Sequence, residues 1–579
     1  MRVGLLALIL SAAAAAQQRP DSPVLPLPLP PGLQPYKLVT ADRLKQPEDG
    51  DWLMIRRTYN GWGYSPLDQI TTSNVAGLQP AWVFATGVTN GHEAPPIVNN
   101  GDHVRRHPGQ SGARARRAQR RSPLALPPAA AGRRHPPARR PAAAWRCSAT
   151  RCSSPPGDAV LVALDAKTGK EVWTTKVADN KAGYYMSVAP LVAERKVLVG
   201  ASGGELGVRG FVAAFDVENG KELWKTHTVP APGEPGSETW PKGGDQWKTG
   251  GGSVWVTGNY DPETNLAFWG TGNGGPWMGD QRPGDNLYTS STIAIDVATG
   301  KIKGHFQYDP NESWDWDEVS PPILVDYTRN GRTIKGLIDV ARDGYLWFLE
   351  RSDGPIRFVE GKPYVKQNVF KSLDPKTGRP EVDAARQPGT GKEAQFCPSH
   401  WGGKNWPPIA FSPKTRMIYI PANENLCATM TGRPVTYTAG RVFTGATSSI
   451  ARSNRAPITS AKCRRGTWTP ASACGRRRSR HRRTGVRCSR PAAGSSSAAA
   501  PTIVCSARSM RRRRNRLWEF PTNSGIIGQP SSFTVDGKQY IAVQSGWGID
   551  ARGMQSALSR QRAMPDVPEG GAVWVFAVK

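Results

Sequence analysis

Short apolar runs recur along this chain, each closed by the same polar turn. In residues 162–173, Val-Ala-Leu-Asp-Ala-Lys-Thr-Gly-Lys-Glu-Val-Trp, an apolar run ends on Asp165, a polar turn carries Gly169, and a second run ends on Trp173. The order returns in residues 213–224, from Ala213 through Asp216 and Gly220 to Trp224. A third copy, residues 294–301, has Gly304 where the tryptophan is due. Aspartate caps such a turn and glycine supplies its left-handed backbone, so each unit predicts an alternating strand, a turn and a return strand. Hairpins repeated through a long chain, with no helical periodicity between them, predict radially arranged four-stranded sheets. That is an all-β propeller with its tryptophans packed between neighbouring blades. Residues 78–84 and 517–520 preserve the Trp-containing strand, and 571–578 form a strong strand that can pair with the N-terminal end and close the ring.

At 579 residues the chain exceeds one ordinary core, which suits an architecture that grows by repetition. Residues 1–16 read as a secretory signal peptide, with an apolar stretch too short to span a bilayer and small residues up to Ala16. Residues 17–40 read as a Pro-rich leader, and 41–579 as a single propeller domain.

The net charge of +30 would point to nucleic acid if it were spread over a surface. It is not spread. Residues 105–156 hold 13 arginines and 452–516 hold 18 arginines and one lysine, with no acid in either window. Together they exceed the net charge of the whole chain, so the rest is near neutral and no nucleic-acid partner is expected. Both windows interrupt the repeat where blades are due. Residues 114–125, shifted by one nucleotide, are compatible with Val-Leu-Asp-Ala-Arg-Thr-Gly-Ala-Leu-Leu-Trp, the repeat signature itself. Residues 483–488, shifted by two, permit Asn-Trp-Gly-Pro-Val. Two corrupted reading frames account for composition and position together; arginine-rich disordered insertions are the competing reading. Six of the eight cysteines lie in these windows. Export makes a disulfide between the other two, Cys397 and Cys427, an open option beside two separate thiols.

Candidate chemistry centres on residues 311–322, Asn-Glu-Ser-Trp-Asp-Trp-Asp-Glu-Val-Ser-Pro-Pro. In an extended backbone Asp315 and Asp317 project to one side and Trp314 and Trp316 to the other, which aims two carboxylates at one cation. A solvated acidic loop is the plainer alternative. Three glycine-rich stretches join it: residues 201–210 with Glu205, residues 269–277 with Asn273, and residues 250–255 with Trp255. Singly these are a loop acid, a turn former and a core indole. Together Glu205, Asn273, Asp315 and Asp317 form an all-oxygen set suited to a hard cation, not to zinc or copper.

These stretches, with residues 62–67 (Trp-Gly-Tyr-Ser-Pro-Leu), 91–96 (Gly-His-Glu-Ala-Pro-Pro), 260–263, 402–408 (Gly-Gly-Lys-Asn-Trp-Pro-Pro) and 524–528, resemble the quinoprotein alcohol dehydrogenases, the pyrroloquinoline quinone (PQQ)-dependent family of methanol and ethanol dehydrogenases. The resemblance covers the chain outside the signal and the two windows. It implies an eight-bladed propeller with PQQ stacked on Trp255, and a Ca2+ or lanthanide ion on Glu205, Asn273, Asp315 and Asp317. It makes Asp315 the catalytic base and Arg342 the arginine at the quinone carbonyls. Glu93, Ser187, Ser202, Gly203, Gly204, Ser253 and Asn423 match cofactor-contacting positions, with Asn425 competing for the last. An acid at Asp317 is the mark of lanthanide-using members. The implied partners are a small alcohol and a periplasmic cytochrome c, with a homodimer as a possible assembly and the periplasm as the location. Adjacent cysteines against PQQ, common in the family, are missing, and their region falls in the first window; the tryptophan over the quinone falls in the second. No Cys-x-x-Cys-His haem motif is present. A non-catalytic propeller scaffold and an inactive product of a damaged gene are the competing readings.

Overall fold

The Asp–Gly turns organise the strands. In the computed structural model, Asp216 Oδ1 accepts from the amides of Glu218 and Asn219, and Asp296 Oδ1 from those of Ala298 and Thr299. Each turn then passes through a glycine of positive φ, 72° at Gly220 and 77° at Gly300. The structure describes residues 37–86, 92–100, 159–166, 171–449, 517–522, 524–546 and 570–579, and the strand backbones at 102–107, 110–115, 146–148, 151–153, 450–452 and 459–467. Residues 1–36, which the sequence reading takes as a signal peptide and most of a leader, and the side chains of both arginine-rich windows lie outside the described residues.

The glycines do more than turn the chain. A Cβ on Gly220 would lie 2.4 Å from the Trp173 ring, and one on Gly300 2.6 Å from the Trp224 ring. Trp173 Nε1 donates to Val217 O at 3.2 Å and Trp224 Nε1 to Val297 O at 3.1 Å, while Thr175 and Thr226 donate to the carbonyls of Gly220 and Gly300. The tryptophan of each unit is thus seated on the turn of the next, as the repeat predicts. Phe358 takes the same seat on Gly378 in the turn capped by Asp374. Where the third copy carries Gly304, the Gly354 carbonyl occupies the space a side chain would need. Gly300→Ala is expected to lower stability by about 2 kcal/mol, because it adds left-handed strain to a clash with the indole; the thermal unfolding midpoint reads it.

Five four-stranded and three three-stranded antiparallel sheets follow among the described residues. Three are simple meanders. The first runs Leu191–Ala193, Lys196–Gly200, Phe211–Asp216, Glu222–His227; the second Asn259–Asp261, Leu266–Gly270, Ser291–Asp296, Ile302–Gln307; the third Ile323–Leu324, Gly336–Val340, Tyr345–Arg351, Ile356–Pro363. In each the last pair of strands carries a bulge, next to the turn in the first two sheets and at Phe348/Leu349 in the third, which twists the outer strand. The strand alternation expected from sequence holds only weakly. Phe211–Asp216 and Ser291–Asp296 are buried on both faces up to their final aspartate, because each inner strand has a sheet packed on either side.

The ring closes as predicted: Leu78–Ala85 pairs with Gly571–Val578, which continues into Lys538–Gly546 and Ser531–Val535. Residues 517–520 do not form the predicted strand. Trp518 still donates its Nε1 to Leu78 O at 2.8 Å, as Trp173 does to Val217 O, while its ring stacks on Phe520, and residues 468–516 just before it lie outside the described ones. No helix among the described residues is long and apolar enough to cross a membrane.

Candidate active site

The acidic stretch is shaped by a buried pair. Glu312 Oε1 accepts from the amides of Trp314 and Trp316, the latter at 2.8 Å. Arg282, fully buried, donates to the carbonyls of Pro276, Trp277 and Glu312 and to Asn286 Oδ1. These bonds lash residues 311–317 to residues 276–277. Trp314 and Trp316 stack at 5.0 Å, and Trp316 Nε1 donates to Ser399 O at 2.9 Å, just beyond Cys397, which is disulfide-bonded to Cys427.

The backbone here is not extended. Asp315 has φ of 65°, a left-handed residue. Trp314 and Trp316 therefore share one side and stack, and Asp315 and Asp317 share the other, through a turn rather than a strand. A short polar side chain tolerates this conformation, and the Glu312 cap enforces it.

Carboxylate oxygens of Glu205, Asp315 and Asp317 all lie within 4.8 Å of one another. Glu205 sits on the 3₁₀ turn Gly204–Leu206, entered through Gly203 with φ of 116°. A Cβ on Gly203 would lie 2.4 Å from Gly183 O, and one on Gly272 2.5 Å from Asp317 Oδ1. Close backbone approach is what these two glycines permit. Asn273 donates its amide to Asp317 Oδ1 at 2.8 Å, and Gly204 lies against Ser253 Oγ and Asn273 Oδ1. From the far side, Phe443 donates its amide to Glu205 O at 2.7 Å.

Arg342 closes the cluster. Its Nη2 lies 3.2 Å from Asp317 Oδ2 and donates to Asn405 Oδ1 at 3.0 Å, and its Nη1 donates to Asp315 O at 2.9 Å. The guanidinium carbon is 5.7 Å from the Trp255 ring centroid. Ser187 Oγ bonds Ser202 Oγ at 2.8 Å and donates to Trp255 O at 3.0 Å, fixing the indole backbone. Burial holds the Asp315 carboxyl well above the usual range; Asp317, Glu205 and Glu312 push the same way and Arg342 opposes them.

Glu205, Asn273, Asp315, Asp317, Arg342, Trp255, Ser187, Ser202, Gly203, Gly204 and Ser253 are thus brought together. Two sequence candidates have other recorded neighbours. Glu93 lines a cavity with Arg56, Val256, Asp339 and Lys404. Asn423 donates its amide to Gly403 O and its side-chain nitrogen to Gly402 O, on the loop behind Arg342; Asn425 is the left-handed residue between two strands. The amide that contacts Arg342 is Asn405, which lay in the 402–408 motif without a role. Glu312, Arg282, Glu318 and Lys404 were also missed, since their partners are distant in sequence.

The residues fit a metal ion and a planar anionic cofactor. Three convergent carboxylates outnumber the one guanidinium facing them, and Asp315 Oδ1 is buried with no hydrogen-bond partner, an arrangement a hard cation satisfies. The Trp255 face, with an arginine opposite and serine hydroxyls nearby, suits a flat acidic ring system.

His400, buried beside this site, contributes a pH dependence. Burial, then Arg342, lowers its pKa from 6.5 to about 4. A depressed base is neutral in the fold and takes up a proton more readily when unfolded. Its stabilising contribution is present above pH 6.5 and lost as pH falls toward 4, amounting to roughly 3 kcal/mol. The stability difference between parent and His400→Phe is expected to shrink across that window in thermal melts at stepped pH.

An all-β fold built on docked tryptophans, with a carboxylate cluster and an arginine over an indole, is what the resemblance to quinone-dependent oxidoreductases implies. Residues 174–377 match the PQQ family model described as glucose/ethanol/alcohol dehydrogenase, beta-propeller domain. The chain is 33% identical over 558 residues to quinoprotein alcohol dehydrogenase PedH of Pseudomonas putida, covering 89% of each chain. It is 33% identical over 562 residues to the lanthanide-dependent methanol dehydrogenase of Methylacidiphilum fumariolicum, covering 90% of this chain and 88% of that one. Among solved structures, a europium-containing methanol dehydrogenase superposes with a TM-score of 0.75 at 28% identity, over 93% of this chain and 99% of that one. The chain belongs to the PQQ-dependent quinoprotein alcohol dehydrogenases.

Proposed function

We propose that the protein is a periplasmic enzyme that oxidises a small primary alcohol, or an aldehyde, and passes the electrons to a cytochrome c. The supporting observation is the cluster of Glu205, Asp315 and Asp317 beside Arg342, with Asp315 Oδ1 left without a partner. PQQ would be held on Trp255 by Arg342, Ser187, Ser202, Ser253, Gly203 and Gly204, together with Glu93 and Asn423; Glu205, Asn273, Asp315 and Asp317 would hold the metal. When bound, the quinone takes up the two electrons of the alcohol carbon–hydrogen bond, and the metal ion acts as Lewis acid toward its carbonyl.

The chain supplies the rest. Asp315 Oδ1 accepts the hydroxyl proton as hydride leaves the alcohol carbon. Arg342 presents its guanidinium to the oxygen where negative charge builds up. Asp317 brings a third carboxylate to the metal site, which matches a trivalent lanthanide better than Ca2+. Trp314 and Trp316, stacked and tied to Ser399, close the floor beneath Asp315 against water.

The same reading makes the eight sheets eight blades, 1–16 an export signal, 17–40 a leader and 41–579 one domain, with a homodimer as an allowed assembly. It takes residues 105–156 and 452–516 as displaced reading frames; resequencing the gene across both windows tests this, and an unchanged frame overturns it. The windows also favour a second reading, an enzyme fold that binds PQQ without turnover. Purified protein reconstituted with PQQ and either LaCl3 or CaCl2, then assayed for dye-linked oxidation of short alcohols, separates the two. Turnover that needs both PQQ and metal supports the enzyme, PQQ binding without turnover the damaged product, and a folded protein with no PQQ affinity neither.

A further inference from the structure

Arg342 is held at its backbone as well as its side chain. Its amide donates to Glu318 Oε2 at 2.7 Å, and its carbonyl accepts from the Gly403 amide at 2.8 Å. Asn405 Oδ1, which receives Nη2, also accepts from the Trp406 amide at 2.7 Å. Between Gly403 and Asn405 stands Lys404, with 1% of its surface exposed. Its Nζ donates to Ser320 Oγ at 2.6 Å and to Asn405 O at 2.9 Å, and its charge faces the buried carboxyls of Glu318 and Asp339.

One buried ammonium therefore joins two of the supports of Arg342, Asn405 and Glu318, to Ser320. It ties down the residue whose amide oxygen takes the guanidinium, balances the carboxylate that takes the Arg342 amide, and fixes Ser320, three residues beyond Asp317. A lysine removed from water is costly unless its partners compensate, and here those partners belong to the frame around Arg342.

We propose that Lys404 is a positioning residue for alcohol oxidation, setting the place of Arg342 through Glu318 and Asn405 without touching the reacting atoms. This rests on Arg342 being the group that faces the quinone. Lys404 bonds none of Glu205, Asn273, Asp315 or Asp317; its link to the metal set runs through Arg342, which pairs with Asp317, so metal affinity is read separately from turnover.

The test uses holoenzyme reconstituted with PQQ and Eu3+, as parent, Lys404→Met, Arg342→Ala and the double variant. Lys404→Met is expected to lower kcat about 100-fold with KM changed less than about threefold. The PQQ absorption band moves in the direction seen for Arg342→Ala, and Eu3+ luminescence titration reads an affinity within about threefold of the parent. In the Arg342→Ala background the same substitution costs less than about threefold, and it moves the band no further, because the residue it positions is gone. A Lys404→Met enzyme with unchanged kcat and band, or one whose losses are equal in both backgrounds, overturns the proposal. A silent Arg342→Ala overturns the role of Arg342 itself, a different failure. Should Lys404→Met not fold, Ser320→Ala removes a single acceptor: a threefold to tenfold kcat loss that vanishes without Arg342 is expected, roughly the worth of one hydrogen bond, and no loss overturns the proposal.

Discussion

Asp315→Asn is expected to lower kcat by about three orders of magnitude, the upper part of the range for removing a positioned general base. The substitution keeps the size and the left-handed backbone, which asparagine tolerates. It also keeps the bond from Arg342 Nη1, because that bond falls on the Asp315 backbone carbonyl and not on the carboxylate. The stack of Trp314 on Trp316 and the Glu312 cap involve no Asp315 side-chain atom. What changes is the carboxylate oxygen that can hold the alcohol proton and one of the three negative charges at the metal site, so rates are compared at saturating metal. Pre-steady-state dye reduction with an unlabelled and a C1-deuterated alcohol checks this: the isotope effect should persist on a much slower step. A variant within tenfold of the parent would falsify the base assignment.

Asp317→Ser is expected to weaken trivalent-ion binding by at least about 100-fold while sparing Ca2+ relatively. With all three acids ionised, Glu205, Asp315 and Asp317 bring three negative charges within 4.8 Å of one another. A 3+ ion gains more than a 2+ ion from each, so losing one shifts preference toward the divalent ion. Asp317 also accepts the Asn273 amide and pairs with Arg342, so the substitution should loosen both. Terbium luminescence titrations with and without Ca2+ read the preference directly. Unchanged terbium affinity would mean that Asp317 only partners Arg342.

The features legible in the sequence are those carried by local chemistry. Asp216 and Gly220 announce their turn because the cap and the positive φ lie within five residues. Trp173 and Trp224 announce their seats because the repeat supplies both the ring and the glycine beneath it. The left-handed Asp315 could not be read, since the Glu312 cap that imposes it is braced by Arg282 from a distant segment. The apolar runs could not tell a strand buried on both faces from an alternating one. Asn405 and Asn423 are alike as letters; only the 3.0 Å bond to Arg342 separates them. Residues 517–520 carry the strand motif, yet what the fold keeps of it is the seat of Trp518 on Leu78 O.

The seam between Leu78–Ala85 and Gly571–Val578 has a consequence for the order of assembly. Its partners Leu78 and Val578 stand 500 positions apart, and bringing such ends together costs about 3 kcal/mol more chain entropy than closing a ten-residue hairpin. The buried Val573, Val575 and Phe576 that seal it contribute only once both strands exist, so a nascent chain keeps this seam open until the C-terminal strand has left the ribosome. During that interval two bare edges could recruit another molecule. Pro80 sits in Leu78–Ala85, the outermost strand of this sheet, where it offers no amide to a newcomer and interrupts the ladder at a bulge.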